Sequence, residues 1–364
     1  RKESFTGAAT TVTKEEILRI SPRNVIDVLQ VFDPSLRMVK NNEMGSDPNT
    51  LPEFYIRGRT GMDGVTQLDK LEAQQGGDMS KFSLTTNPNL PVFILDGYEV
   101  EVQKIYDMDP NRIASITILK DAAATAMYGS RASNGVIVVE TMTPELGKLQ
   151  VAYSFNASLT VPDLSDYNLM NAEEKLQAEL LSGLYDLSTA NGMTAYVMKK
   201  NYITKGVDTD WMSQPLQNQF NHSHSLYISG GTEGFRFGTD LSYNHEGGVM
   251  KKSYRNRMSV GIYVDYRVGK LQIRNNVSYD LARSSDSPYG SFSDYTKQQP
   301  YYPIYDDNGK LLQMLAIGIP NPLYEATLGN FSRGESSNLT NNLSFYWFIN
   351  DHLQLQSQFS VTKN

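Results

Sequence analysis

The sequence predicts an α+β domain over residues 1–145, followed over residues 146–364 by the antiparallel strands of a transmembrane β-barrel. Three observations carry this. The first part mixes helix-start signals with short β-rich runs. The second repeats a strict two-residue alternation over strands of about a dozen residues, longer than the ~5–6 of soluble sandwiches. The connections between those strands alternate between long and short, as in outer-membrane barrels.

In the first part, Thr13-Lys14-Glu15-Glu16 is a capping box, in which threonine and Glu16 satisfy free amides at a helix start. Ser21-Pro22 is a second start, followed by Val25, Val28, Leu29 and Phe32 at helical spacing. Strands are predicted at Phe54 to Ile56, Pro91 to Leu95, Ile113 to Leu119 and Gly135 to Glu140. Between the last two, an alanine-rich helix from Asp121 to Tyr128 stops at Gly129, which suggests a compact βαβ-like unit.

After Pro144 one oily and one wet face alternate through Leu149 to Val161, Phe235 to Tyr243, Met258 to Val268, Leu271 to Leu281, Leu339 to Ile349 and Leu353 to Val361. A weaker strand is centred on Leu226 and Ile228. The charges Arg236, Asp240, Arg257, Asp265, Arg267, Arg274 and Asp280 all fall on the wet face. A midplane Arg or Lys facing lipid would cost roughly 2–4 kcal/mol, so a bilayer enforces this sorting. Long segments 162–220 and 283–337 and a medium loop 247–255 alternate with tight turns at 231–234, 269–270 and 350–351. Long loops belong outside and short turns in the periplasm, which puts the N-terminal domain on the periplasmic side or in the lumen, as a plug.

Composition agrees. With 33 Lys and Arg against 40 Asp and Glu, a net charge of -7 argues against nucleic acid as a partner. A mean hydropathy of -0.42 excludes membrane helices, which need ~18 consecutive apolar residues, but leaves a barrel open. There is no cysteine for disulfides or thiolate metal sites. The chain opens at Arg1-Lys2-Glu3 without an apolar signal core, so any export signal is expected to lie outside it.

The run Pro91-Val92-Phe93-Ile94-Leu95-Asp96-Gly97, then Ile113 to Asp121, then Ala122 to Ile137 with Tyr128-Gly129-Ser130-Arg131-Ala132-Ser133-Asn134-Gly135, closely resembles the plug signature of SusC/RagA-type TonB-dependent outer-membrane receptors of the Bacteroidetes. Phe54-Tyr55-Ile56-Arg57-Gly58 resembles the family's earlier plug motif, and Ser4 to Ala8 the start of its plug. The resemblance implies a barrel of about 22 strands with the plug in its lumen. The seven strands seen here would then be the first part of that wall. It also implies a function: TonB-dependent import of an oligomeric nutrient, glycan or oligopeptide, with a SusD-like lid lipoprotein and the TonB–ExbB–ExbD complex as partners. A siderophore or cobalamin receptor, or a non-transporting surface binding barrel, is the alternative. The location implied is the outer membrane, in contact with its lipid.

Arg57, Gly58, Asp96, Gly97, Lys120, Asp121, Tyr128, Gly129, Arg131, Asn134 and Gly135 form the signature, whose polar members are expected to anchor the plug or to serve as its turns and caps. Substrate contacts are sought in residues 59–88 and in Tyr289, Tyr295, Gln298, Gln299, Tyr301 and Tyr302, where aromatic rings beside amides suit sugars and peptide backbones alike. Asn171 to Leu184 reads as an amphipathic helix with Leu176, Leu180, Leu181 and Leu184 on one face. No catalytic constellation, cofactor or metal site is assigned. His222, His224 and His245 could approach as a metal pair, but read more simply as lumen or lipid-interface residues. Asp107 to Asn111 starts like a calcium loop but lacks its glycine and terminal glutamate. Asp306-Asp307-Asn308-Gly309 reads as a hairpin turn.

Overall fold

Backbone pairing divides the chain into two main sheets of opposite character. The computed structural model describes residues 9–20, 25–32, 36–39, 48–49, 53–56, 91–100, 102–120, 128, 132, 135–350 and 352–363. In the N-terminal unit, β1 (Ala9–Thr13) leads into helix α1 (Lys14–Ile20), and α2 (Val25–Phe32) precedes a hairpin of β2 (Leu36–Val39) and β3 (Glu53–Ile56). The Glu16 carboxylate accepts the Thr13 amide at 2.8 Å and its hydroxyl at 3.0 Å, so the glutamate half of the expected capping box forms, the threonine hydroxyl donating to Glu16, and these bonds hold Glu16 below the usual carboxylate range. Then come β4 (Val92–Leu95), β5 (Tyr98–Val100), α3 (Val102–Tyr106), a 3-10 turn (Pro110–Arg112), β6 (Ile113–Leu119) and β7 (Val136–Thr141).

These strands form one sheet in the order β1-β6-β7-β4-β5. Val92 to Leu95 are buried on both faces, which is why β4 reads as an unbroken apolar run. One core gathers Ile17, Leu29, Phe93, Leu95, Ile105, Ile116, Ile118 and Ile137 under the helices. A smaller one joins Val92, Ile94, Ala132 and Val136 on the other side. The βαβ-like expectation is corrected here: β6 and β7 pair antiparallel, and the parallel pair is β4 with β7. A parallel crossover needs a dozen or more residues, which the span from β4 to β7 supplies.

The second sheet is a meander of β8 (Gly147–Thr160), β9 (Gln219–Gly231), β10 (Phe235–Gly247), β11 (Tyr254–Val268) and β12 (Leu271–Ser285). It continues through β15 (Arg333–Asn350) and β16 (Leu353–Lys363); the small hairpin β13 (Met314–Ala316) and β14 (Ile319–Pro320) sits in the loop before them. All six neighbouring pairs of the seven strands are antiparallel and follow chain order, with β8 and β16 at the edges. Gly269, at φ 56°, supplies the positive φ of the two-residue turn joining β11 to β12. Strands of 13 to 18 residues in β9 to β12 and β15 are long enough to cross a bilayer when tilted.

Burial in this wall runs opposite to that of a soluble sheet. Arg255, Arg257 and Asp265 are 5%, 6% and 3% exposed, whereas Leu149, Val151 and Phe359 exceed 60%. The face carrying the charges is covered by the N-terminal unit, and the oily face is bare, as lipid requires.

The long connections fold together. Helices α4 (Ala172–Leu181) and α5 (Ala190–Thr204) of the first loop meet α6 (Phe292–Thr296) and α7 (Pro322–Glu325) of the later one. Their shared core contains Leu176, Tyr185, Trp211, Tyr295, Tyr301, Tyr302 and Leu315. Asn171 caps α4 in a full capping box with Glu174. The four-leucine face is corrected: Leu176 is buried and Leu180 packs on the core, but Leu181 and Leu184 point outward, and Glu179 is buried in their place. Asp306 to Gly309 is the expected turn, with the Asp306 carboxylate accepting the Asn308 and Lys310 amides.

Candidate functional site

The chemistry-bearing surface is the junction between the N-terminal unit and the wet face of the wall. It is built from the segment 96–112. Asp96 and Gly97 form the β4–β5 turn with φ of 50° and 93°, the two positive values that an Asp-Gly hairpin supplies cheaply. The Asp96 carboxylate accepts the Thr141 amide at 2.8 Å, the Thr141 hydroxyl at 2.7 Å and the Asn276 amide of β12 at 3.3 Å. Burial nevertheless pushes its carboxyl above the usual range, against those bonds.

Beyond the turn, α3 and the 3-10 turn present three charges to the wall. Lys104 reaches Asp280 at 3.2 Å and donates to Ser278 and Thr340. Arg112 lies 3.0 Å from Asp240 and 3.8 Å from Asp280. Asp107 carries the opposite sign: Arg255 donates to it through Nε at 3.1 Å and Nη2 at 2.6 Å, and Arg257 through Nη1 at 3.4 Å. Arg257 also donates to the Tyr106 carbonyl and to Glu246 of β10. Cations of the N-terminal unit therefore meet wall anions, and its anion meets wall cations. Such reversed pairs set one orientation, since a rotated docking would juxtapose like charges.

Of the signature residues, the structure brings Asp96 and Gly97 to the junction. Gly135, at φ 97°, hands its carbonyl to the Val92 amide and so joins β4 to the start of β7. Tyr128 packs beside the smaller core, and burial raises its hydroxyl pKa. Lys120 follows the end of β6, half-buried. Arg57, Gly58, Asp121, Gly129, Arg131 and Asn134 lie outside the described residues, as do Ser4 to Ala8, Ser21-Pro22 and segment 59–88. Besides the Asp96–Asn276 bond, the charged contacts at the wall are made by Lys104, Asp107 and Arg112, which sequence reasoning missed. Their signal was present in part: Asp240, Arg257 and Asp280 are charged residues on a barrel's inner face, and such charges need partners. Asp107 to Asn111 serves this junction, with Asp109 capping the 3-10 turn.

The loop aromatics separate into two groups. Tyr295, Tyr301 and Tyr302 are at most 5% exposed, core residues and not surface platforms. Tyr301 donates to both Glu179 oxygens and accepts from Lys199 at 3.0 Å; Tyr185 bonds Glu179 as well. Burial and the Glu179 charge push both hydroxyl pKa values well up. Gln299 lends its carbonyl to Trp211. Tyr289 and Gln298 do line an open cleft of about 540 Å³, with Phe331, Asn330, Asp294 and Glu325. Among the described residues no cluster of three or more metal-ligating groups suits a metal ion.

Comparison with known proteins follows the same division. Residues 1–136 match the family of the TonB-dependent receptor plug domain. The TonB-dependent receptor SusC of Bacteroides thetaiotaomicron is 27% identical over 63% of this chain and 22% of its own length. TonB-dependent receptor P39 of Formosa agariphila is 25% identical over 94% of this chain and 30% of its own. This chain thus spans under a third of these relatives. Among solved structures, the RagAB peptide importer in its open-open state superposes with a TM-score of 0.74 at 21% identity, over 98% of this chain and 40% of that one. FpvA of Pseudomonas aeruginosa, bound to pyoverdine, reaches only 0.52 at 12%, over 99% and 34%.

Proposed function

The chain is a SusC/RagA-type TonB-dependent receptor of the outer membrane, and we propose that it supplies the plug, residues 1–145, and the first wall strands, residues 146–364, of an active nutrient importer. The cargo is an oligomer, glycan or oligopeptide. A SusD-like lipoprotein closes over the outer face, and the TonB–ExbB–ExbD complex draws on the plug from the periplasm.

The observation that carries the reading is the junction at Lys104, Asp107 and Arg112. Plug and wall each have their own packing and meet through charge and hydrogen bonds, so they can part without exposing either core. Polar junctions of this kind rewet at little cost, unlike apolar ones. The lid partner is supported by Tyr167, Leu169, Met170, Leu181 and Leu184, apolar side chains left bare on the outer loops. The cleft of Tyr289, Gln298 and Phe331 suits rings and amides of either cargo.

The test uses the full-length receptor carrying Lys104→Cys and Ser278→Cys joined by a thiol crosslinker. Cargo binding persists and import stops if the plug must leave this junction. Import at the uncrosslinked rate would overturn the reading.

A further inference from the structure

The oily face of the wall carries a cluster of three histidines. His222 and His224 on β9 and His245 on β10 all face away from the plug. His222 pairs with His245 and Ala157, and His224 with Tyr243 and Phe155, all on the lipid side. The ring of His222 lies 5.4 Å from each of the other two imidazoles, and Phe220 and Tyr243 lie 5.9 Å from it. On the outward faces of β8, β9 and β10 no Lys, Arg, Asp or Glu occurs, so the ring nitrogens of these three imidazoles are the groups there suited to a phosphate oxygen.

Their level decides what they meet. His222 and His224 stand nine and seven residues above Gly231 at the short-turn end. At about 3.3 Å per residue and a tilt of about 40°, that is roughly 23 and 18 Å of height, near the top of an apolar band about 25 Å tall. Outer-leaflet headgroups begin there. Aromatic rings are ordinary at this level, but three clustered imidazoles are not explained by packing alone.

The bonding leaves them available. His224 uses Nδ1 on the Tyr153 hydroxyl, and His245 uses Nδ1 on Asn256 with a 3.4 Å approach of Gln219 to Nε2. The Nδ1 of His222 is buried without a partner, so Nε2 is the atom by which this ring can meet a headgroup. In the same register row, Arg283 of β12 pairs with Glu335 of β15, and Glu246 points to the opposite face to meet Arg257. No carboxylate on β8, β9 or β10 therefore competes on the lipid side. We infer that His222, His224 and His245 hold the phosphorylated headgroup of an outer-leaflet lipid against the wall.

The test is native mass spectrometry of the full-length receptor in detergent, titrated with monophosphoryl lipid A, dephosphorylated lipid A, inorganic phosphate or zinc. We expect monophosphoryl lipid A to be retained more strongly than dephosphorylated lipid A. Retention should fall roughly tenfold in H222Q/H224Q/H245Q, as loss of charge-assisted bonds implies. The glutamines keep size and polarity, and heat-modified gel mobility checks that the barrel is folded; if that triple misfolds, the single variants each lose part of the effect. Equal retention of the dephosphorylated lipid, or unchanged retention in a folded variant, overturns the inference. So does zinc binding that the triple abolishes while lipid retention is unchanged. Binding of inorganic phosphate as tight as that of the lipid would show a free-phosphate site instead.

Discussion

The plug–wall junction and the outer-loop module both bury charge beside tyrosine, yet they are built for opposite ends. At the junction, Lys104, Asp107 and Arg112 reach across to Asp280, Arg255, Arg257 and Asp240, and the apolar cores stay on their own sides. In the loop module, Lys199 and Glu179 sit 3.6 Å apart inside a shared aromatic core of Trp211, Tyr295 and Tyr301. The first interface can be rewetted. The second cannot open without exposing large rings. The proposed import would need a plug that leaves and a mouth that keeps its shape, and the placement of apolar surface, more than of charge, distinguishes the two.

The contrast breaks most visibly at the loop core. Tyr295→Ala should cost about 3–5 kcal/mol of local stability, the range for a fully buried aromatic. Hydrogen exchange over residues 162–218 and 286–332 should rise while the wall strands stay protected. Equal loosening of both regions would mean that the module is not an independent unit.

At the junction, Lys104→Met should cost less, about 1–3 kcal/mol, the range for leaving a polar partner unsatisfied. Its effect should appear as earlier release of the plug in urea, followed by limited proteolysis, with no change in the unfolding of the barrel. Lost barrel stability would blur the distinction between separable parts.

A smaller, pH-dependent effect comes from Asp96. Burial raises its carboxyl pKa in the folded plug, so the folded state binds a proton more readily than the unfolded one. That contribution is fully present below the ordinary aspartate range near 4 and is lost as pH rises through the raised folded value. Plug release midpoints should therefore decline from pH 4 upward in the wild type. In Asp96→Asn that decline should flatten. A decline of equal slope in the variant would assign it to another group.

Smallest of all is Lys205→Ala. Its pair with Asp307 spans the two loops at 2.9 Å but lies in open solvent. Hydrogen exchange of the module should not change, in contrast to Tyr295→Ala; a shift would show that solvent-exposed pairs also hold the mouth together.

The seven wall strands, their inward and outward faces and the tight turns were legible in the sequence because they rest on local period and turn chemistry. Alternation sorts Leu149 from Gln150 without any partner, and Gly269 marks a turn by its own φ. The caps at Glu16 and Asn171 are local in the same sense. Contacts between distant residues were not. Asp107 and Arg255 lie 148 positions apart, and no spacing rule joins them. Tyr301 and Tyr302 look like ligand platforms in a loop until the first loop, over 80 residues earlier, folds onto them through Trp211 and Thr209.

The sequence by itself determined that this is a plug followed by barrel wall, since a bilayer imposes a face on every strand and the chain records it residue by residue. Tertiary structure alone decided which charges clasp the plug and which tyrosines are core. Those outcomes depend on strand register and docking, where the free energy belongs to pairs of distant groups and to neither partner alone.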